Sequence, residues 1–164
     1  MEYEYAILVV LGKMKINDIP VMFKAEAQNL ITEATKLLEY AKKKKLTEVN
    51  DWTGNKIVSG FKSKANGQEI TYDSDIDTQI TMQGIALNVD TELFAEKYPT
   101  GCPVRGYAAN SDTKSVFMLT PKQVMNWQAD LSIHIGNCKQ AGWEKQAEVE
   151  AAKTIQDLEN IKLD

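Results

Sequence analysis

The sequence predicts an α+β fold that is mostly helical, with long helices and a small antiparallel β-sheet or hairpin. Three observations carry this expectation. Apolar residues recur every three or four positions across residues 24–49 and again across 124–149, which is the spacing of one helix face. Two runs rich in β-branched and aromatic residues, 103–108 and 114–119, flank the polar stretch 109–113, as in a hairpin with a loop of about 4–5 residues. Helix-start signals stand at Ser74, Thr120 and Thr154.

Taken in order, residues 1–23 read as extended. Tyr3, Tyr5, Ile7 and Val9 alternate with Glu4, Ala6 and Leu8, and Ile19 to Phe23 can pair back as a second strand with Pro20 at an edge or strand start. From Lys24 the period changes. Ala27, Leu30, Ile31, Ala34, Leu37, Leu38 and Ala41, then Leu46 and Val49, define one long amphipathic helix rich in good helix formers. The stretch 51–55 is its weak point, since Gly54 costs about 1 kcal/mol relative to Ala inside a helix. The helix either breaks there or runs on to Ser59-Gly60, where Gly60 terminates it.

Residues 61–72 form a connector, with a turn at 65–68 and a short strand at 69–72. Ser74 and Asp77 fit a capping box, and the helix behind them is expected to bury Ile76, Ile80 and Leu87, with Gly84 permitting close approach of another helix. Residues 88–101 read as irregular. After the hairpin, Thr120 and Gln123 form a second capping box with Pro121 at the first helical position. The following helix carries Val124, Trp127, Leu131, Ile135, Cys138, Gly142 and Val149 on one stripe. Thr154 and Asp157 mark a third cap, opening a short helix through Ile161.

At 164 residues the chain is long enough to bury a substantial core. The expected organisation is an N-terminal β segment over residues 1–23, a possible attachment arm, followed by a helical domain over 24–164 with a hairpin insert. Apolar residues are 43% and charged residues 26% of the chain, as in a soluble globular protein. A net charge of −4 argues against a nucleic-acid partner, which needs clustered Lys and Arg. The run Lys42, Lys43, Lys44 and Lys45 reads as a solvated helix face. The apolar run from Tyr5 to Leu11 is too short to span a bilayer and has acidic flanks, so neither membrane nor targeting segment is expected. Cys102 and Cys138 form no disulfide framework or metal motif, which fits folding in a cytoplasm.

Four constellations bear on chemistry. Asp73, Asp75 and Asp77 are spaced like the start of a calcium loop, but Thr78 stands where such a loop needs glycine and Gly84 where it needs glutamate. Helix capping accounts for these acids, so no metal is expected. His134 and Cys138, four apart on one helix, suggest a Cys–His pair with no third residue to orient it. Trp52, Trp127 and Trp143 can build a stacking platform or a core, and the core is favoured. Gly12, Gly54 and Gly60 are too scattered for a phosphate loop. No catalytic, cofactor-binding or metal-binding residues are expected, and the protein is expected not to be an enzyme.

From Lys42 to Leu163 the landmarks resemble a phage tail-fibre and tail-associated domain family of unknown chemistry, found at the C-terminal end of many tail-fibre and fibre-assembly proteins. They are Lys45-Leu46-Thr47-Glu48-Val49-Asn50, then Thr71-Tyr72-Asp73-Ser74-Asp75 with Gln79 and Gly84, the hairpin, Leu119-Thr120-Pro121, and Thr154-Ile155-Gln156-Asp157-Leu158-Glu159. The resemblance implies a non-enzymatic bacteriophage structural protein, a virion component made in the host cytoplasm that contacts other phage structural proteins. Alternatives are a tail-fibre assembly chaperone or a small phage inhibitor of a host defence protein, the latter fitting the acidic balance. The broad apolar face of the helix over 24–49 leans toward a homo-oligomer.

Overall fold

The computed structural model describes residues Met1–Asp164. It is an α+β fold of seven α-helices and one four-stranded antiparallel sheet. The helices are α1 (Glu2–Val10), α2 (Val21–Thr32), α3 (Ala34–Val58), α4 (Ile76–Asn88), α5 (Glu92–Lys97), α6 (Pro121–Ala151) and α7 (Ile155–Asn160), with a 3-10 turn at Ile16–Asp18. The strands are β1 (Phe61–Ser63), β2 (Ile70–Tyr72), β3 (Cys102–Ala108) and β4 (Lys114–Leu119). The chain divides into two compact units. One comprises Met1–Trp52 with Ala141–Asp164, the other Thr53–Gln140.

The first unit is wholly helical. Residues 1–23 are therefore helical and not a β segment, and they pack into the core of this unit. Ala6 and Ile19 are buried in one cluster with Leu30, Leu37, Val149 and Leu158. The alternation was misleading because residues 5–11 are all apolar, and an unbroken apolar run fits a helix as well as a strand. The helix is settled by tertiary packing: the Tyr3 ring stacks on Tyr40 at 4.3 Å and the Tyr5 ring on Phe23 at 5.6 Å. Glu2 and Glu4 lie in the first turn, where negative charge complements the helix dipole. Pro20 opens α2 as its N-cap instead of marking a strand edge.

The helix expected over 24–49 is two helices. It breaks at Glu33, whose φ of −92° and ψ of 59° leave helical geometry. Just before the break, the Thr32 hydroxyl donates to the Gln28 carbonyl at 3.0 Å, the back-bonding that bends helices. At residues 51–55 the helix does not break. α3 runs through to Val58 because Gly54 is solvent-facing with nothing within 4 Å, so its cost is only intrinsic. Termination comes at Gly60, with φ of +100°.

At the far end of this unit the capping box of α7 is complete. Thr154 Oγ1 accepts from the Asp157 amide at 3.1 Å, and Asp157 Oδ2 accepts from the Thr154 amide at 2.9 Å. Polar contacts add to the apolar core: Lys44 reaches Glu4, Gln146 donates to Asn50, and Trp52 Nε1 donates to the Asp164 carbonyl.

The second unit is built on the sheet, in the order β1-β2-β3-β4 with every neighbour antiparallel. The hairpin β3–β4 pairs Cys102 with Leu119 through Tyr107 with Lys114. Alternation then divides the two faces. Cys102 and Val104 with Leu119 point inward, while Pro103, Arg105, Val116 and Met118 point to solvent. Inward residues meet Met82 of α4, Val89 at its C-cap, and Val124, Trp127 and Leu131 of α6. The box at the start of α6 is reciprocal: the Thr120 amide donates to Gln123 Oε1 at 2.9 Å and the Gln123 amide to Thr120 Oγ1 at 3.4 Å. Residues 88–101, read as irregular, contain α5. Thr91 caps it by accepting from the Phe94 amide at 3.3 Å, and six residues are too few for a periodic signal.

Gly106 is required by close approach. A Cβ there would meet Ile70 Cγ2 at 2.6 Å, Tyr72 Cδ1 at 2.8 Å and the Thr71 carbonyl at 2.9 Å. Gly106→Ala is expected to destabilise the protein by roughly 1–3 kcal/mol, read as a lowered urea midpoint at constant m-value.

Acid sensitivity follows from the caps. Hydrogen bonds from the Lys153 amide, then from Thr154, hold the Asp157 carboxyl below its ordinary value. Hydrogen bonds from the Thr78 hydroxyl and amide do the same for Asp75. A folded-state value below the unfolded one gives stability that is present above about pH 4 and lost as pH falls through the lowered value. Asp157→Asn should flatten the acid limb of a stability–pH profile and leave the limb above pH 5 with the same slope.

Candidate interaction surface

One carbonyl sets the position of α4. Ile57 O, in the last turn of α3, accepts from Ser74 Oγ at 2.5 Å and from His134 Nε2 at 3.2 Å. Ser74 Oγ in turn accepts from the Gly60 amide at 2.8 Å. Ser74 is completely buried and is not the N-cap of α4. That role belongs to Asp75, which accepts from the Thr78 amide at 3.0 Å and the Thr78 hydroxyl at 2.7 Å. The expected Ser74–Asp77 box is thus replaced by an Asp75 cap, because the serine hydroxyl satisfies the end of α3 instead. Gln79 Nε2 adds a bond to the Ser74 carbonyl at 2.7 Å, closing the entry to α4.

Held this way, α4 turns Met82 (0% exposed) and its C-cap Val89 (2%) into the core, with Ile85 and Ala86 packed beside them. The residues expected to be buried face solvent: Ile76 is 67% exposed, Ile80 62% and Leu87 83%. Gly84 has nothing within 4 Å, so it serves no helix approach. At about 100° per residue, Ile76, Ile80 and Leu87 fall within about 40° of one another. They form a stripe roughly opposite Met82 and Ile85. α4 is apolar on two faces, and periodicity cannot say which one the core takes.

A second apolar surface lies beside α5, and none of Ile76, Ile80 and Leu87 lines it. Leu93 is 76% exposed, and Phe94 and Tyr98 pack against each other with ring centroids 4.9 Å apart. Between α4 and α5 lies an open groove of about 460 Å³, lined by Gly84, Ile85, Asn88, Leu93, Phe94 and Tyr98.

The other residues singled out by sequence have separate fates. His134 and Cys138 are brought together, with Sγ 3.8 Å from Nε2 and 4.0 Å from Nδ1. A carbonyl only accepts, so the bond to Ile57 O places the ring proton on Nε2. Burial pushes the Cys138 thiol above its ordinary value, and the nearby Lys56 only partly offsets this, so the sulfur is not an activated thiolate. Asp73 is paired with Lys114, Asp75 is the cap and Asp77 is exposed, so the three acids diverge.

Trp127 is buried at 4% exposure and meets Tyr72 edge-on at 5.4 Å. Trp143, assigned to the core from sequence, is 63% exposed, because the buried stripe of α6 passes through its neighbour Gly142. Of the lysine run, Lys42 donates to the Glu150 carbonyl and Lys44 pairs with Glu4, long-range contacts that no local pattern signals, while Lys45 pairs with Glu48 one turn on in the same helix. Also unforeseen is Ser63, buried on β1, which donates to Asp130 Oδ2 at 2.6 Å and accepts from the Ala65 amide.

These features define an α+β module whose exposed distinguishing chemistry is an apolar helix face. The chain belongs to the family described as a domain of unknown function, DUF4376, whose model matches residues 40–162. No curated protein and no solved structure matches it. No helix is long and apolar enough to cross a membrane.

The assignment of the two α4 faces is open to direct measurement. Ile80→Gln should shift unfolding free energy by no more than about 0.5 kcal/mol. Met82→Ala, by contrast, should cost about 2–5 kcal/mol. Ser74→Ala should cost roughly 1–3 kcal/mol, since it removes the buried hydroxyl that meets both the Gly60 amide and the Ile57 carbonyl.

Proposed function

We propose that this chain is a non-enzymatic bacteriophage structural protein, a tail or tail-fibre-associated component of the virion that works by protein–protein contact. The observation that carries the reading is the solvent-facing stripe of Ile76, Ile80 and Leu87, with Leu93 exposed on α5 as well. Large apolar side chains grouped on one exposed helix face are unfavourable in water and mark a surface that a partner covers. The ordered landmarks from Lys45 through Glu159, which resemble the tail-associated family, support placement among phage structural proteins. The partner surface is another structural protein of the particle.

The test is composition of purified particles. The protein is expected in them at a fixed ratio to the tail proteins. A chain carrying Ile80→Glu and Leu87→Glu is expected to be incorporated at least tenfold less while keeping its unfolding midpoint. Absence of the wild-type chain from particles overturns the virion reading in favour of an assembly chaperone or an inhibitor of a host protein.

A further inference from the structure

We propose that β4 is a homodimerisation edge, at which two copies of this chain pair antiparallel about a two-fold axis and join their sheets into one of eight strands. The inference goes beyond the virion reading and does not need it. β4 is the last strand of the sheet and spans six residues, Lys114–Leu119. Its backbone pairs with β3 only, and no other backbone hydrogen bond reaches it. Unpaired strand edges are normally blunted by shortness, proline, charge or a covering element. The opposite edge fits that rule: β1 has three residues, with Lys62 at its centre and Lys64 just beyond. β4 does not. It holds no proline, its one charge is Lys114 at the start, and Val116 and Met118 are 59% and 46% exposed.

The occupant follows from parity and charge. Directly opposed residues of an antiparallel pair point to the same face. Lys114, Val116 and Met118 all lie on the outer face of the sheet, opposite Tyr107, Arg105 and Pro103 of β3. A two-fold axis through Val116 sets Val116 against Val116 and Lys114 against Met118, and the single charge of each strand meets an apolar residue instead of its own kind. Asp112 precedes the strand in the hairpin loop, and α6 begins just after the strand, with no acidic residue in its first turn and with Lys122 there. Antiparallel pairing brings the first end of one strand beside the last end of the other, so the acidic loop of each copy lies at the end where the other copy's helix begins, and the symmetry makes this contact twice.

The experiment uses the full chain. Light scattering is expected to give twice the 18.4 kDa chain mass, and Val116→Lys, which sets two ammonium groups together at the axis, is expected to give one chain mass with an unchanged circular dichroism spectrum. Val116→Cys should form a covalent dimer under mild oxidation, since opposed Cα atoms in such a pair lie about 4.5–5.5 Å apart, within disulfide reach. Wild-type protein should not, because Cys102 and Cys138 are buried. Ser115→Cys, placed opposite Phe117, should stay single. A monomeric wild type, a Val116→Lys protein of undiminished mass, or Val116→Cys that resists cross-linking each overturns the proposal.

Discussion

The sheet-containing unit depends on how the last turn of α3 is satisfied. A helix end leaves carbonyls without intrahelical partners, and burying one unmet costs as much as losing a hydrogen bond. Here a single carbonyl, that of Ile57, is met from two sides, by Ser74 at the entry to α4 and by His134 on α6. The chain turns into β1 at Gly60, whose positive φ suits glycine and whose amide returns to Ser74. Three elements are thus referenced to one atom. Replacing either donor by an apolar group leaves the carbonyl half-met while the other donor still holds its element, so these bonds act as a group whose members are not additive.

That constraint gives α4 its two-sidedness. With Ser74 buried and Asp75 outside it as the cap, the helix leaves the core with its orientation fixed, and Met82 and Val89 fill the space over the sheet. The same orientation leaves Ile76, Ile80 and Leu87 in water. A helix stabilised only by its own core has no use for a second apolar stripe, and polar residues there would serve solubility better. The unpaired backbone of β4 is a second unmet requirement of a different kind, directional hydrogen bonding instead of apolar area. Each surface suits a different contact, and the proposed partner and the proposed second copy draw on different ones.

The legibility of the chain in sequence tracked how local each determinant was. The hairpin 103–108/114–119 was found to within a residue because its signal is alternation around a polar turn. Thr120-Pro121 and Thr154-Asp157 were recoverable because a capping box is closed within four residues. Failures came where tertiary contacts chose between equal local options. Residues 5–11 carry no polar residue to break the tie between periods two and 3.6, and stacking on Tyr40 and Phe23 decides for helix. Ser74 is followed three residues later by Asp77, as a box requires, yet its hydroxyl is claimed by Ile57, 17 positions earlier. The apolar surface was misplaced for the same reason: the correct residues of α4 were named and assigned to the wrong side. The division of α3 and α6 between two units has no signature in local pattern at all.

The most direct test of this account is hydroxyl-radical footprinting of side chains, performed on the isolated chain and on the same chain within purified particles. Ile76, Ile80, Leu87 and Leu93 should label strongly in isolation and become protected in the particle, while Met82 stays unlabelled in both despite the high intrinsic reactivity of its sulfur. Equal labelling of the four apolar residues in both states, or labelling of Met82 in the isolated chain, would contradict it.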